Sequence, residues 1–149
     1  MKQIAENTHK QKSILLVGEK PGWNEVKSGR PMIGPAGNEL DKMLTEVGLD
    51  RTDCAITNVA HEYIPGSGFY KTKEAKLAER PRYKGKYPID ALIEGDQCLP
   101  EVIDTVQPNV VVALGDIALW ALAEITGITR WRGSILEMTY AGRTIKVVP

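Results

Sequence analysis

The residues best placed by type and spacing to do chemistry are Gly18-Glu19-Lys20-Pro21-Gly22-Trp23-Asn24-Glu25, followed by Ser28-Gly29-Arg30-Pro31-Met32-Ile33-Gly34-Pro35-Ala36-Gly37. Glycines at this density let backbone N–H groups approach a ligand closely, and the prolines fix the course of the chain so that little ordering entropy is lost on binding. The segment matches neither G-x-G-x-x-G nor G-x-x-x-x-G-K-[ST], so those two routes to a bound phosphate are not supported. A single such glycine would suit a plain strand-to-helix connection; several together imply a rigid, backbone-rich cradle. A second candidate is Asn58, at the carboxyl end of a short apolar run, where open α/β sheets present their ligands.

The elements that must position these residues follow from hydrophobic periodicity. Residues 13–17 and 55–59 read as short buried strands, the first running into the glycine-rich loop. Residues 38–47 place Leu40, Met43, Leu44 and Val47 at helical spacing, with Gly48 as the C-terminal cap. Helical spacing resumes over 89–106 and stops before Pro108; 109–114 is a β-branched strand closed by Gly115; and 116–125 is an apolar helix with Asp116 as its N-cap. The tail offers two further strands, 134–140 and 143–148, around Ala141-Gly142. Strands alternating with helices predict an α/β fold of three layers, α/β/α, around a mostly parallel central sheet in a single domain. Residues 1–12 read as a polar N-terminal tail and 13–149 as the domain.

Composition narrows the partners. The 149 residues suffice for one core, and nineteen basic residues against nineteen acidic ones produce no net field, so any nucleic-acid contact must come from a local patch. The N-terminus lacks the apolar stretch of a signal peptide, and no run approaches the roughly 18 apolar residues of a membrane span, which makes the cytoplasm the expected location and excludes a membrane partner. The two cysteines, Cys54 and Cys98, stand far apart and read as reduced thiols. Between residues 61 and 87 the periodicity dissolves. There Lys71, Lys73, Lys76, Arg80, Arg82, Lys84 and Lys86 alternate with Phe69, Tyr70, Tyr83 and Tyr87, a pattern able to track a phosphate backbone and stack exposed bases, or equally to form an ordinary solvated loop.

Taken in order, Gly-Glu-x-Pro-Gly at 18–22, Gly-Arg-Pro-x-x-Gly-x-Ala-Gly at 29–37 and Ile-Thr-Asn-Val at 56–59 resemble the motif set of the iron-sulfur type of uracil-DNA glycosylase. Ala113-Leu114-Gly115 and Ile128-Thr129-Arg130-Trp131-Arg132-Gly133 extend the likeness, which runs from about residue 13 to the end with a gap across the lysine-rich stretch. Similar loops occur in N-terminal domains of some bacteriophage DNA polymerases. The resemblance implies a domain that binds DNA and a flipped pyrimidine and excises uracil by hydrolysis, in a bacterial cell or a phage-infected host. It implies a carboxylate from Glu19 or Glu25 beside the sugar, Glu19 being preferred because it stands at the strand end, and Asn58 reading the Watson–Crick edge of the base. Gly18, Pro21, Gly22 and Met32 would complete the base pocket; Arg30 and Arg132, with Lys71, Lys73, Arg80, Arg82 and Lys84, would contact DNA.

Departures from the family's pattern carry expectations of their own. Met32 stands where the family has a base-stacking Phe, and offers a polarizable but not a flat surface; it would serve equally as core. Glu62 stands where the family shows a cysteine and no cysteine pair precedes it, so the expected cofactor is none and the expected metal none. His61 could reach the pocket or be an ordinary polar side chain. The family continues past Lys146-Val147-Val148-Pro149 with a His-Pro loop whose histidine donates to the leaving base. A chain stopping at Pro149 reads as truncated at its C-terminus, and loss of one such donor slows chemistry by about 10²–10³. The alternative is a catalytically inactive glycosylase-fold module for DNA or protein binding, attached to a DNA polymerase and partnered with replication proteins.

Overall fold

The apolar run at residues 14–18 becomes an inner strand of a five-stranded sheet. The computed structural model describes residues 4–63, 70–71, 87–88, 90–140 and 142–149, without the side chains of 70–71, 87–88 and 90–97. In chain order the elements are β1 (Ile14–Gly18), α1 (Trp23–Ser28), α2 (Pro35–Glu46), a 3₁₀ turn (Arg51–Asp53), β2 (Cys54–Asn58), β3 (Tyr70–Lys71), β4 (Tyr87–Pro88), α3 (Asp90–Val106), β5 (Val110–Ala113), α4 (Asp116–Ala123), α5 (Ile128–Trp131), β6 (Leu136–Tyr140) and β7 (Arg143–Val148). β1 pairs in parallel with β2 and β5, and β5 with β7; only β6 runs antiparallel, against β7. The small β3–β4 ladder is separate.

Period-two alternation along β1 feeds two cores. Leu15 and Val17 face one side, where they join Val111, Leu99 and Ile103 of α3, and Leu119 and Leu122 of α4. Leu16 faces the other and meets Leu40 and Leu44 of α2 with Ile56. The result is the expected three-layer α/β/α arrangement around a mostly parallel sheet. Burying side chains such as Leu15 and Ile56, both 0% exposed, is worth about 1.5–3 kcal/mol each.

Several local expectations need correction. In α2 only Leu40 and Leu44 of the predicted stripe are buried; Met43 and Val47 are exposed, because the helix touches the sheet along a narrower strip. Gly115 (φ 109), not Asp116, occupies the N-cap of α4; Asp116 begins the helix, and its Oδ1 accepts from the backbone N–H groups of Gly127 (2.7 Å) and Ile128 (3.1 Å), tying the start of α4 to the start of α5. The polar N-terminal segment lies against the sheet: Ile4 is buried, Glu6 exchanges backbone hydrogen bonds with Ile56, and Asn7 Nδ2 donates to Cys54 O. That bridge covers part of the open edge of β2. Among the described residues no helix is long and apolar enough to cross a membrane.

Candidate functional site

Three chain segments meet at the carboxyl tip of β1. Gly18 pairs with Asn58 across the β1–β2 ladder, and the chain leaving β2 stays alongside, Val59 N–H donating to Gly18 O and Ala60 N–H to Glu19 O, each at 2.9 Å. From the other side, Leu114 N–H donates to Val17 O. β1 is where the strand order reverses, with β2 on one flank and the later β5 on the other, so its tip is the topological switch point at which open α/β sheets bind ligands.

Gly18 has no room for a side chain. A Cβ there would collide with Met32 Cε and Asn58 Oδ1, which therefore converge over the same backbone atom. Asn58 is 2% exposed, and its Oδ1 has no hydrogen-bond partner among the described residues. A buried, unsatisfied acceptor costs about 1–3 kcal/mol, so such an atom at a strand tip is a waiting site for a donor.

Met32 is held there under strain. It is a non-glycine residue at φ 52, in the left-handed region. The Arg51 guanidinium, 14% exposed, fixes the carbonyls on either side of that torsion: Nη1 donates to Met32 O at 2.8 Å and Nη2 to Pro31 O at 2.7 Å. The same group bonds Asp41 Oδ1 at 3.2 Å and Glu6 Oε2 at 2.9 Å. Gly37, in the first turn of α2, packs so closely on the Met32 carbonyl that any Cβ would overlap it. Over-determined strain of this kind is a mark of functional loops. Arg51 and Gly37 were not singled out from sequence. Gly37 lies inside a quoted motif, but nothing local marks Arg51, whose partners are 10 to 45 residues away.

The two candidate carboxylates have different surroundings. Glu25 Oε1 accepts from the backbone N–H groups of Ile33 (3.3 Å) and Gly34 (3.1 Å), at the start of α2, while Oε2 closes on Gly22. It ties the two glycine-rich loops together, and its charge suits the positive end of the helix. Glu19 is half-buried and its carboxyl accepts no hydrogen bond among the described residues; burial pushes that carboxyl above the usual range, with nearby Lys20 opposing. His61, three residues beyond Asn58, is half-buried with neither ring nitrogen hydrogen-bonded among the described residues, and burial holds its imidazole below the ordinary value.

Pro21 is buried beneath the loop and Gly22 caps α1. Arg30 is exposed and lies 3.7 Å from Glu6, and Arg132 is exposed at the end of α5, where the neighbouring Gly133 N–H reaches Pro149 O beyond β7. The basic stretch is mostly outside the described residues: Lys73, Arg80, Arg82 and Lys84 fall there, and Lys71 is described only as backbone of β3. A depression of about 440 Å³ along α2, lined by Asn38, Asp41, Lys42, Thr45 and Glu46, shares no residue with the Gly18–Met32–Asn58 convergence.

A three-layer α/β domain with two motif loops and a buried amide gathered at one strand tip is a ligand-binding scaffold of the doubly wound class. The chain belongs to the uracil DNA glycosylase superfamily, whose sequence model matches residues 6–149. It is 31% identical over 140 residues to the type-4 uracil-DNA glycosylase of Archaeoglobus fulgidus, covering 91% of this chain and 62% of that one. The type-4 enzyme of Pyrobaculum aerophilum is 31% identical over 134 residues, covering 87% and 58%. A DNA polymerase of Bacillus phage SP01 is 27% identical over 130 residues, 87% of this chain but 12% of the polymerase. The chain thus spans less than two thirds of the length of these relatives.

These matches correct the expectation of no cofactor, since the type-4 glycosylases are the iron-sulfur cluster-binding family. The donor set of this chain does not fit a cluster held by four thiolates: it has two cysteines. Cys54 is closed into β2, where burial raises its thiol, and Cys98 is half-buried on α3.

Proposed function

We propose that the domain binds DNA with one pyrimidine turned out of the stack, seats that base against Gly18, Met32 and Asn58, and hydrolyses the N-glycosidic bond of uracil. The observation that carries this reading is the unsatisfied Asn58 Oδ1 beside Met32 over a side-chain-free Gly18. Oδ1 accepts from the N3–H of uracil while the amide N–H₂ donates to a ring carbonyl, a two-point match to the Watson–Crick edge. The apolar Met32 side chain covers a ring face, and the missing Cβ at Gly18 leaves backbone as the floor. Pro21 and Gly22 shape the wall.

Hydrolysis adds water across the C1′–N1 bond. As that bond breaks, its electron pair passes to the base, positive charge grows on the sugar, and water attacks C1′ while losing a proton. Glu19 takes that proton, and its raised pKa makes it a better base than a solvated carboxylate. Glu25, with Oε1 engaged by two backbone N–H groups, acts by holding the loops in place. Arg30, Arg132 and the basic residues around Lys71, Lys73, Arg80, Arg82 and Lys84 meet phosphates. Weaker stacking on Met32 than on an aromatic ring lowers turnover. On this reading the protein works where DNA is copied and repaired, in the cytoplasm of a bacterial cell or a phage-infected host.

An abasic-site assay on uracil-containing oligonucleotides tests the enzyme reading. Wild type should cleave while Glu19→Gln loses at least about 10²-fold; equal cleavage by both rejects the role of Glu19. The similarity to a phage polymerase supports a second reading, a non-cleaving module that binds DNA or replication proteins beside a polymerase. Under that reading wild type and Glu19→Gln both bind uracil-DNA, and neither produces abasic sites.

A further inference from the structure

Trp23 and Tyr63 are large amphipathic side chains left in water, 58% and 45% exposed, yet they touch: their ring centroids lie 5.8 Å apart at an interplanar angle of 71°. They come from the two segments that build the site. Trp23 follows Gly22 and opens α1; Tyr63 lies three residues past Ala60, whose N–H is bonded to Glu19 O. Chain length keeps the Trp23 Cα within about 15 Å of that of Glu19, and the ring contact keeps Tyr63 with it, the reach of a neighbouring nucleotide rather than of a distant strand. In an edge-to-face pair one ring presents only its edge, so its own faces are uncovered by its partner. Lys27 Nζ sits over one face of the Trp23 ring, 5.5 Å from its centroid, and is exposed, placing a cation within the pair's surface.

We propose that Trp23 and Tyr63 form a stacking platform for an unpaired nucleobase adjacent to the one in the Gly18–Asn58 cradle, with Lys27 meeting the phosphate between them. The partner is a single-stranded DNA segment. Exposed aromatics beside a cation match the two features every nucleotide offers, a π face and a negative phosphate, whatever its sequence. The platform rests on the base-binding reading above and deepens it: the cradle selects one base, and the platform grips its neighbour and favours single-stranded or opened DNA.

The test is the affinity of the whole chain for short, labelled single-stranded oligonucleotides carrying one uracil, with either normal bases or abasic residues on both sides of it. Trp23→Ala should weaken binding to the normal oligonucleotide about 5- to 100-fold, Tyr63→Ala should also weaken it, and Trp23→Phe should retain most of it. Against the abasic-flanked oligonucleotide, Trp23→Ala and wild type should bind alike. Lys27→Ala should reduce the salt slope by about one charge. Equal binding of wild type and Trp23→Ala to the normal oligonucleotide, or an equal loss on both oligonucleotides, overturns the platform. Asn58→Ala separates the two ideas: if it leaves both affinities unchanged while Trp23→Ala does not, the cradle reading has failed and the platform stands.

Discussion

Replacing Gly18 by alanine places a methyl group where Met32 Cε and Asn58 Oδ1 already lie. The Met32 methyl ends a side chain with three rotatable bonds and can swing aside, at about 0.5–1.5 kcal/mol for an off-rotamer torsion. Asn58 cannot yield in the same way, because it is 2% exposed and its backbone is locked in register against Gly18. Overpacking of this kind costs about 1–3 kcal/mol in total, which at a urea m-value of about 2 kcal/mol/M lowers the unfolding midpoint by about 0.5–1.5 M. The Asn58 amide should shift with it, so affinity for uracil-containing DNA should fall as well. The assay is a urea titration paired with oligonucleotide binding, on Gly18→Ala and on the double variant Gly18→Ala/Met32→Ala. Removing the Met32 side chain vacates half of the contested space, and the two changes should couple by at least about 0.5 kcal/mol. An unaltered midpoint with unaltered binding would refute the convergence itself. A lowered midpoint with normal uracil binding would leave the packing intact and remove these residues from recognition.

Arg51→Met removes the two hydrogen bonds that hold Met32 at its left-handed torsion together with the two to Asp41 and Glu6, and loss of one side of a largely buried ion pair should cost about 3–5 kcal/mol in urea unfolding; a change below about 1 kcal/mol would show that the loop is fixed by other contacts. Met32→Phe should tighten uracil-DNA binding about 5-fold, the difference between an aromatic stack and a thioether contact, and an unchanged dissociation constant would place Met32 outside the pocket. Burial gives Glu19 and His61 opposite pH dependences. The folded protein disfavours ionised Glu19, so this group's contribution to stability is present below the ordinary value of 4.5 and lost as pH rises through the raised folded value; Glu19→Gln should therefore melt higher than wild type at pH 7, with the gap closing in acid. His61 is kept neutral by the fold, so its contribution is present above 6.5 and lost as pH falls through its depressed folded value. His61→Asn should flatten the thermal stability profile on the acid side of 6.5, and an unchanged profile would argue against a neutral buried ring.

The parts of the molecule that could be read from sequence are those whose causes are local. β1 and β5 are short apolar runs with a strand on either side, β2 is an equally apolar run at the sheet edge under the N-terminal bridge, and Gly18 and Asn58 followed from them because a strand's carboxyl end is fixed once the strand is found. α2 and α3 announced themselves by apolar spacing. α1 did not, because none of its residues is buried; it forms between Gly22 and a left-handed Gly29, stabilised by how Glu25 ties the loops rather than by an apolar face. Asp116 was misplaced for a related reason: its side chain can cap its own helix or reach a later turn, and only the fold brings Gly127 within 2.7 Å of it.

Those same long-range causes set the chemistry of the site. The resemblance that identifies the loops cannot say why Met32 sits at φ 52, since the answer lies in a guanidinium 19 residues away that also binds Glu6 and Asp41. Through Arg51 the N-terminal bridge, the 3₁₀ turn and α2 all bear on one loop, so the place of the Met32 side chain over Gly18 is set by residues that do not touch that side chain. A cradle built this way resists single changes at its rim and is sensitive to changes beneath it. Loss of Arg51 should therefore disturb base binding more than loss of exposed Arg30, which has no share in holding the Met32 backbone. Affinities for uracil-DNA in the reverse order would place recognition on the charged surface and not on the strand tip.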